Sequence, residues 1–113
     1  MQSDFDKYQM EAMSFRLESA DSQYALLNLA AEAGEVLSLK AKLIRDGVPV
    51  EEGTADWEGH YEGIKKELGD VLWHVAAIAA DHGFDLSTIA RGNIKKLTDR
   101  ARRNQLQGSG DNR

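Results

Sequence analysis

Glu32-Ala33-Gly34-Glu35-Val36-Leu37 and Glu67-Leu68-Gly69-Asp70-Val71-Leu72 decide how this chain folds. In each stretch two carboxylates stand three residues apart and an apolar pair follows. At helical pitch both acids of a pair project from one face and border the apolar side. Turning by about 100° per residue from Glu32 groups Leu26, Leu29, Ala33, Val36, Leu37 and Leu43 into an apolar stripe, with Asn28, Glu32 and Glu35 along its edge. The second stretch repeats the layout: Ile64, Leu68, Val71, Leu72 and Val75 form the stripe, and Glu67, Asp70 and His74 its edge. Antiparallel packing of the two helices brings the acidic edges together, so that four carboxylates converge. Crowding them without a counterion is costly, which makes the group a candidate cation site.

The remaining pattern is helical throughout. Pro49 is the lone proline and β-branched alternation is scarce, so the periodicity predicts an all-α bundle of four helices. Ser3 with Asp6 forms a capping box that opens the first helix, which carries Phe5, Tyr8, Ala12 and Phe15 and is expected to end near Ala20. The second helix is expected from Ser22 to Arg45, stopped by Asp46-Gly47 and Pro49. The longest loop then runs from Gly47 to Asp56. The third helix is expected from Ile64 to Asp81, because Gly59 and Gly63 weaken an earlier start. Asp85 is expected to cap a fourth helix that fades by Asn104. Residues 1–104 thus form the domain, and the polar, Gly/Ser-containing segment 105–113 is expected to be a disordered tail.

Composition narrows the function classes. A chain of 113 residues with 42% hydrophobic content is small for a self-sufficient core, so a homodimer or homotetramer is expected. The absence of cysteine removes disulfides, thiolate metal sites and cysteine nucleophiles together. No apolar run reaches membrane-spanning length and the start lacks a leader pattern, so no membrane partner and a cytoplasmic location are expected. A net charge of −5 argues against general nucleic-acid binding.

The positive charge that exists is concentrated. Arg91, Lys95, Lys96, Arg100, Arg102 and Arg103 crowd the fourth helix against the single acid Asp99. Asn93, Lys96 and Arg100 share one face at three- and four-residue steps and suit a phosphate chain. Hard carboxylate ligands without thiols suit Mg²⁺, with Mn²⁺ as substitute, and Mg²⁺ retains waters and takes substrate phosphate as a further ligand. A di-iron bundle requires Glu-x-x-His, and no His stands three residues after Glu32 or Glu67. Asn28 stands on the acidic edge as a further substrate contact. Trp73 and Trp57 are candidates for stacking on a base, although an aromatic residue at helical spacing is more often core. His74, one turn beyond Asp70, reads as a satisfied core-edge histidine or as a support for the site.

Taken in order, these segments resemble the MazG-like all-α nucleoside triphosphate pyrophosphohydrolases. Leu29-Ala30-Ala31-Glu32-Ala33-Gly34-Glu35-Val36 is similar to the family's first metal motif, and Glu67-Leu68-Gly69-Asp70-Val71-Leu72-Trp73 to its second. Gly83-Phe84-Asp85-Leu86 and Asn93-Ile94-Lys95-Lys96-Leu97-Thr98-Asp99-Arg100 resemble its turn and its closing NxxKLxxR. The resemblance implies Mg²⁺-dependent cleavage of a nucleoside triphosphate between the α and β phosphates, giving the monophosphate and pyrophosphate. It implies Glu32, Glu35, Glu67 and Asp70 as metal-holding and catalytic residues, in a dimer or tetramer of helical bundles. Two departures stand out: the interval between Glu35 and Glu67 is long for the family, and His74 stands where many members have tyrosine. The competing classes are a non-catalytic nucleotide-binding protein on the same site and a helical module whose basic fourth helix binds a partner.

Overall fold

Side-chain caps decide where the helices begin. In the computed structural model, which describes residues 2–48 and 51–104 (side chains at 55 and 56 excepted), four helices follow one another: α1 Asp4–Ser14, α2 Ser22–Arg45, α3 Ala55–Asp81 and α4 Leu86–Arg102. Ser3, Asp21 and Thr54 each accept a first-turn backbone N–H, from Asp6, Tyr24 and Trp57 respectively. At the other end, α2 and α3 close alike. The Val48 N–H reaches the Leu43 carbonyl and the Phe84 N–H the Ala79 carbonyl, with Gly47 and Gly83 taking the positive φ that this wrap requires. The segment 105–113, for which a disordered tail is expected, lies outside the described residues, as do Met1, Pro49 and Val50.

Two boundaries and one cap differ from the sequence-based expectation. The first helix ends at Ser14, not Ala20, because Arg16 turns back: its Nε donates to the Ala20 carbonyl at 2.6 Å, and its guanidinium grips Asp81 with two bonds of 2.8 and 3.0 Å. The third helix starts nine residues before Ile64, at Ala55. Thr54 provides the cap, and Gly63 is tolerated because it sits where α2 comes close: a Cβ there would lie 3.3 Å from Leu39 Cδ1. The roughly 1 kcal/mol helix penalty of a glycine is thereby set against close packing. Asp85 occupies the position before α4 but makes no capping bond. Asp6 of α1 serves instead, accepting from the Ser87 N–H at 3.0 Å and the Ser87 hydroxyl at 2.7 Å.

α2 packs along α3 as a long antiparallel hairpin, while α1 and α4 pack on α3 and on each other; among the described residues the backbone of α2 comes close to neither of them. Gln9 joins this second group, donating to the carbonyls of Ala76 and Phe84 and accepting from the Leu86 N–H. The buried apolar residues are Ala12, Ala25, Ala76, Ala77, Ala79 and Leu86, and no large described side chain is fully buried. A radius of gyration of 17.5 Å exceeds the value of about 13 Å for a compact chain of this length. No described helix is long and apolar enough to cross a membrane.

The apolar stripe on α2 is displaced from its expected centre. Ala25, Asn28, Leu29, Glu32, Val36, Leu39 and Leu43 are buried or half-buried, whereas Leu26 and Leu37 are 53% and 74% exposed and Ala33 faces solvent. All the former lie within about 60° of Glu32 around the helix, and the latter about 100–140° away. On α3, Leu68 and Leu72 are likewise exposed, while Gly63, Ile64, Glu67, Val71 and His74 are not. Leucine and alanine recur around much of α2, so periodicity alone had no unique centre. Glu32 and Glu67 therefore lie in the packed face itself, not at its edge. The leucines displaced from it leave on the same flank of the hairpin.

Candidate metal centre

Because α2 and α3 run antiparallel with Glu32 and Glu67 on their facing sides, the two acids meet, and Asp70 joins them from the next turn of α3. One carboxylate oxygen from each of Glu32, Glu67 and Asp70 lies within 4.8 Å of the others. Glu32 and Glu67 are half-buried and Asp70 exposed. Glu35 stays outside this group. It is exposed, and three residues of helix leave it about 60° short of a full turn from Glu32, on the solvent side. Three carboxylates therefore converge where four were expected. The charge of all four is still felt: burial pushes Glu67 above the usual carboxylate range, and repulsion from Asp70, Glu35 and Glu32 adds to the effect.

The donor set suits a small hard cation. Oxygens on opposite sides of one Mg²⁺ are about 4.2 Å apart, twice a bond of about 2.1 Å, so closure from 4.8 Å takes less than an ångström of side-chain adjustment. All ligands are oxygens and the repulsion at Glu67 is what such an ion relieves.

A hydrogen-bonded row backs the acids. Asn28 Nδ2 lies 3.3 Å from Glu32 Oε1, 3.3 Å from the Tyr24 hydroxyl and 3.0 Å from His74 Nε2. His74 is buried, and its Nδ1 lies 2.8 Å from the Asp70 carbonyl oxygen. A carbonyl can only accept, so Nδ1 carries the proton, and in the neutral ring Nε2 accepts from Asn28. His74 is thus a satisfied buried histidine that also orients Asn28, and through it Glu32. Tyr24, Asn28 and Glu32 are spaced by four in the sequence, the signal by which this row could have been found.

The other expected contacts are distributed differently. Trp73 turns toward α1, where its Nε1–H donates to the Ala12 carbonyl at 3.1 Å. Its ring lines a cleft of about 380 Å³ with Tyr8, Glu11, Ala12 and Phe15. Tyr8 is pushed above its usual range by burial and then by the charge of Asp70. The helical periodicity of α1 predicts only packing roles for Tyr8 and Phe15. Asn93 is exposed, Lys96 half-buried and Arg100 buried at 4% exposure, all on α4. The backbone of α4 approaches α1 and α3 closely and not, among the described residues, α2.

Comparison with known proteins gives two matches. The model of the MazG nucleotide pyrophosphohydrolase domain matches residues 20–104. The Gene 37 protein of Mycobacterium phage L5 is 40% identical over 92 residues, covering 80% of this chain and 75% of that protein. No solved structure matches.

Proposed function

The chain belongs to the MazG nucleotide pyrophosphohydrolase family, and on that premise we propose that it cleaves a nucleoside triphosphate to the monophosphate and pyrophosphate with Mg²⁺, or Mn²⁺ in its place. The observation that carries this reading is the convergence of Glu32, Glu67 and Asp70 on the inner faces of two packed helices, under mutual repulsion. These three residues, joined by Glu35 from the rim, would hold the ion. Once bound, Mg²⁺ supplies neutralisation of phosphate oxygens and a lowered pKa for water.

The chain's own residues do the rest. A carboxylate of the group that is not fully engaged orients the attacking water and takes its proton. Asn28, held by His74, fixes the Glu32 carboxylate so that its second oxygen is free to point into the site. Lys96 and Arg100 lower the charge on the phosphate chain as it leaves, and Asn93 donates a hydrogen bond to phosphate or sugar. Trp73, walling the cleft near Asp70, offers the base an aromatic surface.

The functional unit we propose is a homodimer or homotetramer. Leu26, Leu37 and Leu68 on one flank of the hairpin remain more than half exposed, a patch that a second copy would cover. Assembly also allows α4 of one copy to approach the acids of another. Incubating the protein with each common ribo- and deoxyribonucleoside triphosphate and Mg²⁺, and assaying both products, tests the reaction. Release of single phosphate, or no turnover of any triphosphate, would contradict it.

A further inference from the structure

At the tip of the α2–α3 hairpin, away from the acids, Lys40, Leu43, Ile44, Val48, Trp57 and His60 enclose a cavity of about 320 Å³. All of these residues lie in the long interval between the two acidic stretches. Trp57 is half-buried, and one of its faces is stacked on Tyr61 at 5.0 Å between centroids with a 14° tilt. Tyr61 in turn carries the Lys65 ammonium 4.8 Å from its centroid. The two rings and the ammonium form a column. Tyr61 does not line the cavity, so the cavity meets a part of the indole that Tyr61 leaves open. Around it stand aliphatic side chains for a ring's edge, an exposed ammonium from Lys40 and the imidazole of His60.

We propose that this cavity binds a planar heteroaromatic ring bearing a phosphate, of which a nucleoside monophosphate is the simplest. Trp57 provides an aromatic surface on which the ring stacks. Lys40 provides the charge that draws phosphate, and His60 a ring nitrogen that donates to or accepts from ribose or base. Counting residues at 1.5 Å each, Lys40 lies about 12 Å along α2 from Glu32, and His60 about 10 Å along α3 from Glu67. With its phosphate at Lys40, the ligand is a nucleotide separate from any whose phosphates lie at the acids, such as the product of the proposed hydrolysis.

Calorimetric titration of the full chain with AMP, CMP, GMP and UMP in EDTA tests the inference without requiring turnover. At least one monophosphate is expected to saturate a single class of sites. Lys40→Glu and Trp57→Ala are each expected to weaken it tenfold or more, and the corresponding nucleoside without phosphate to bind more weakly. Lys40 is exposed, so its variant leaves folding intact and keeps the test decisive if Trp57→Ala unfolds. Affinity is expected to be unchanged in Glu67→Gln, whereas a monophosphate that loses its affinity in Glu67→Gln binds at the acids and overturns the separate site. Absence of saturable binding by all four monophosphates, or affinity indifferent to Lys40→Glu, overturns the proposal. Failure of the hydrolysis assay alone leaves this binding test standing.

Discussion

The two ends of α3 are built on opposite principles. From Val71 onward the helix buries small side chains: Ala76, Ala77 and Ala79 let α1 and α4 approach closely, and Gln9 takes up backbone groups between them. Before Val71 it faces α2 with Glu67 at the centre of the interface, beside Glu32 and Asp70. One half is closed by packing with its polar groups satisfied; the other is held together around charges that repel. Repulsive carboxylates survive in a packed face because neighbouring elements hold the helices in place. The alanine end acts as the platform and the acidic end as the site.

Substitutions at the acidic half should do the most damage to function and the least to folding. Glu67→Gln keeps shape and removes charge, and it is expected to abolish Mg²⁺-dependent pyrophosphate release while the circular dichroism spectrum stays helical. Turnover equal to wild type would detach the carboxylates from the chemistry. Next in size is Lys96→Ala, for which kcat/KM on triphosphates should fall by roughly a hundredfold. Arg102→Ala, near the end of α4, serves as the control and should change little. Equal small losses at both positions would make α4 a solvated face.

The row behind the site should matter somewhat less. Asn28→Leu severs His74 from Glu32, and a loss of about 10–100-fold in Mg²⁺ affinity or activity is expected, the range for residues that orient metal ligands. Half-maximal activity at an unaltered Mg²⁺ concentration would show that Asn28 does not orient Glu32.

The smallest effect belongs to the platform. The Ser87 N–H, and then its hydroxyl, hold Asp6 below its ordinary value of 3.8. A folded-state value below the unfolded one means that this contact stabilises the fold above pH 3.8 and fades as pH falls further. Asp6→Asn should lower the melting temperature at pH 7 modestly, with the difference from wild type shrinking toward pH 3. A difference that persists unchanged at pH 3 would assign the effect to packing.

Much of this was legible in the sequence, and the misses have common causes. The start and end of α2 and the end of α3 follow from Asp21, Gly47 and Gly83, whose capping geometry is local. The start of α3 was not legible, since Gly63 is explained by Leu39, which only the folded hairpin brings near. Asp85 holds the N-cap position of α4 as expected, but the side chain that accepts the first-turn Ser87 N–H is Asp6, 81 residues before it in the chain. The acid pairs announced a site, but not that Glu35 would stand apart or that Glu32 and Glu67 would occupy the middle of the interface. Those outcomes depend on the rotation of α2, which its nearly all-round apolar surface left undetermined.

A bound cation at these acids would relieve their mutual repulsion. Glu67 is held above its ordinary value of 4.5, so ionising it costs the metal-free fold stability as pH rises through that value. Thermal unfolding of wild type and Glu67→Gln at pH 7, each in EDTA and in excess Mg²⁺, measures this directly. In EDTA the variant should melt at the higher temperature, and Mg²⁺ should raise the wild-type midpoint while leaving the variant nearly unmoved. Equal shifts in both proteins, or none in wild type, would contradict a cation site at Glu32, Glu67 and Asp70.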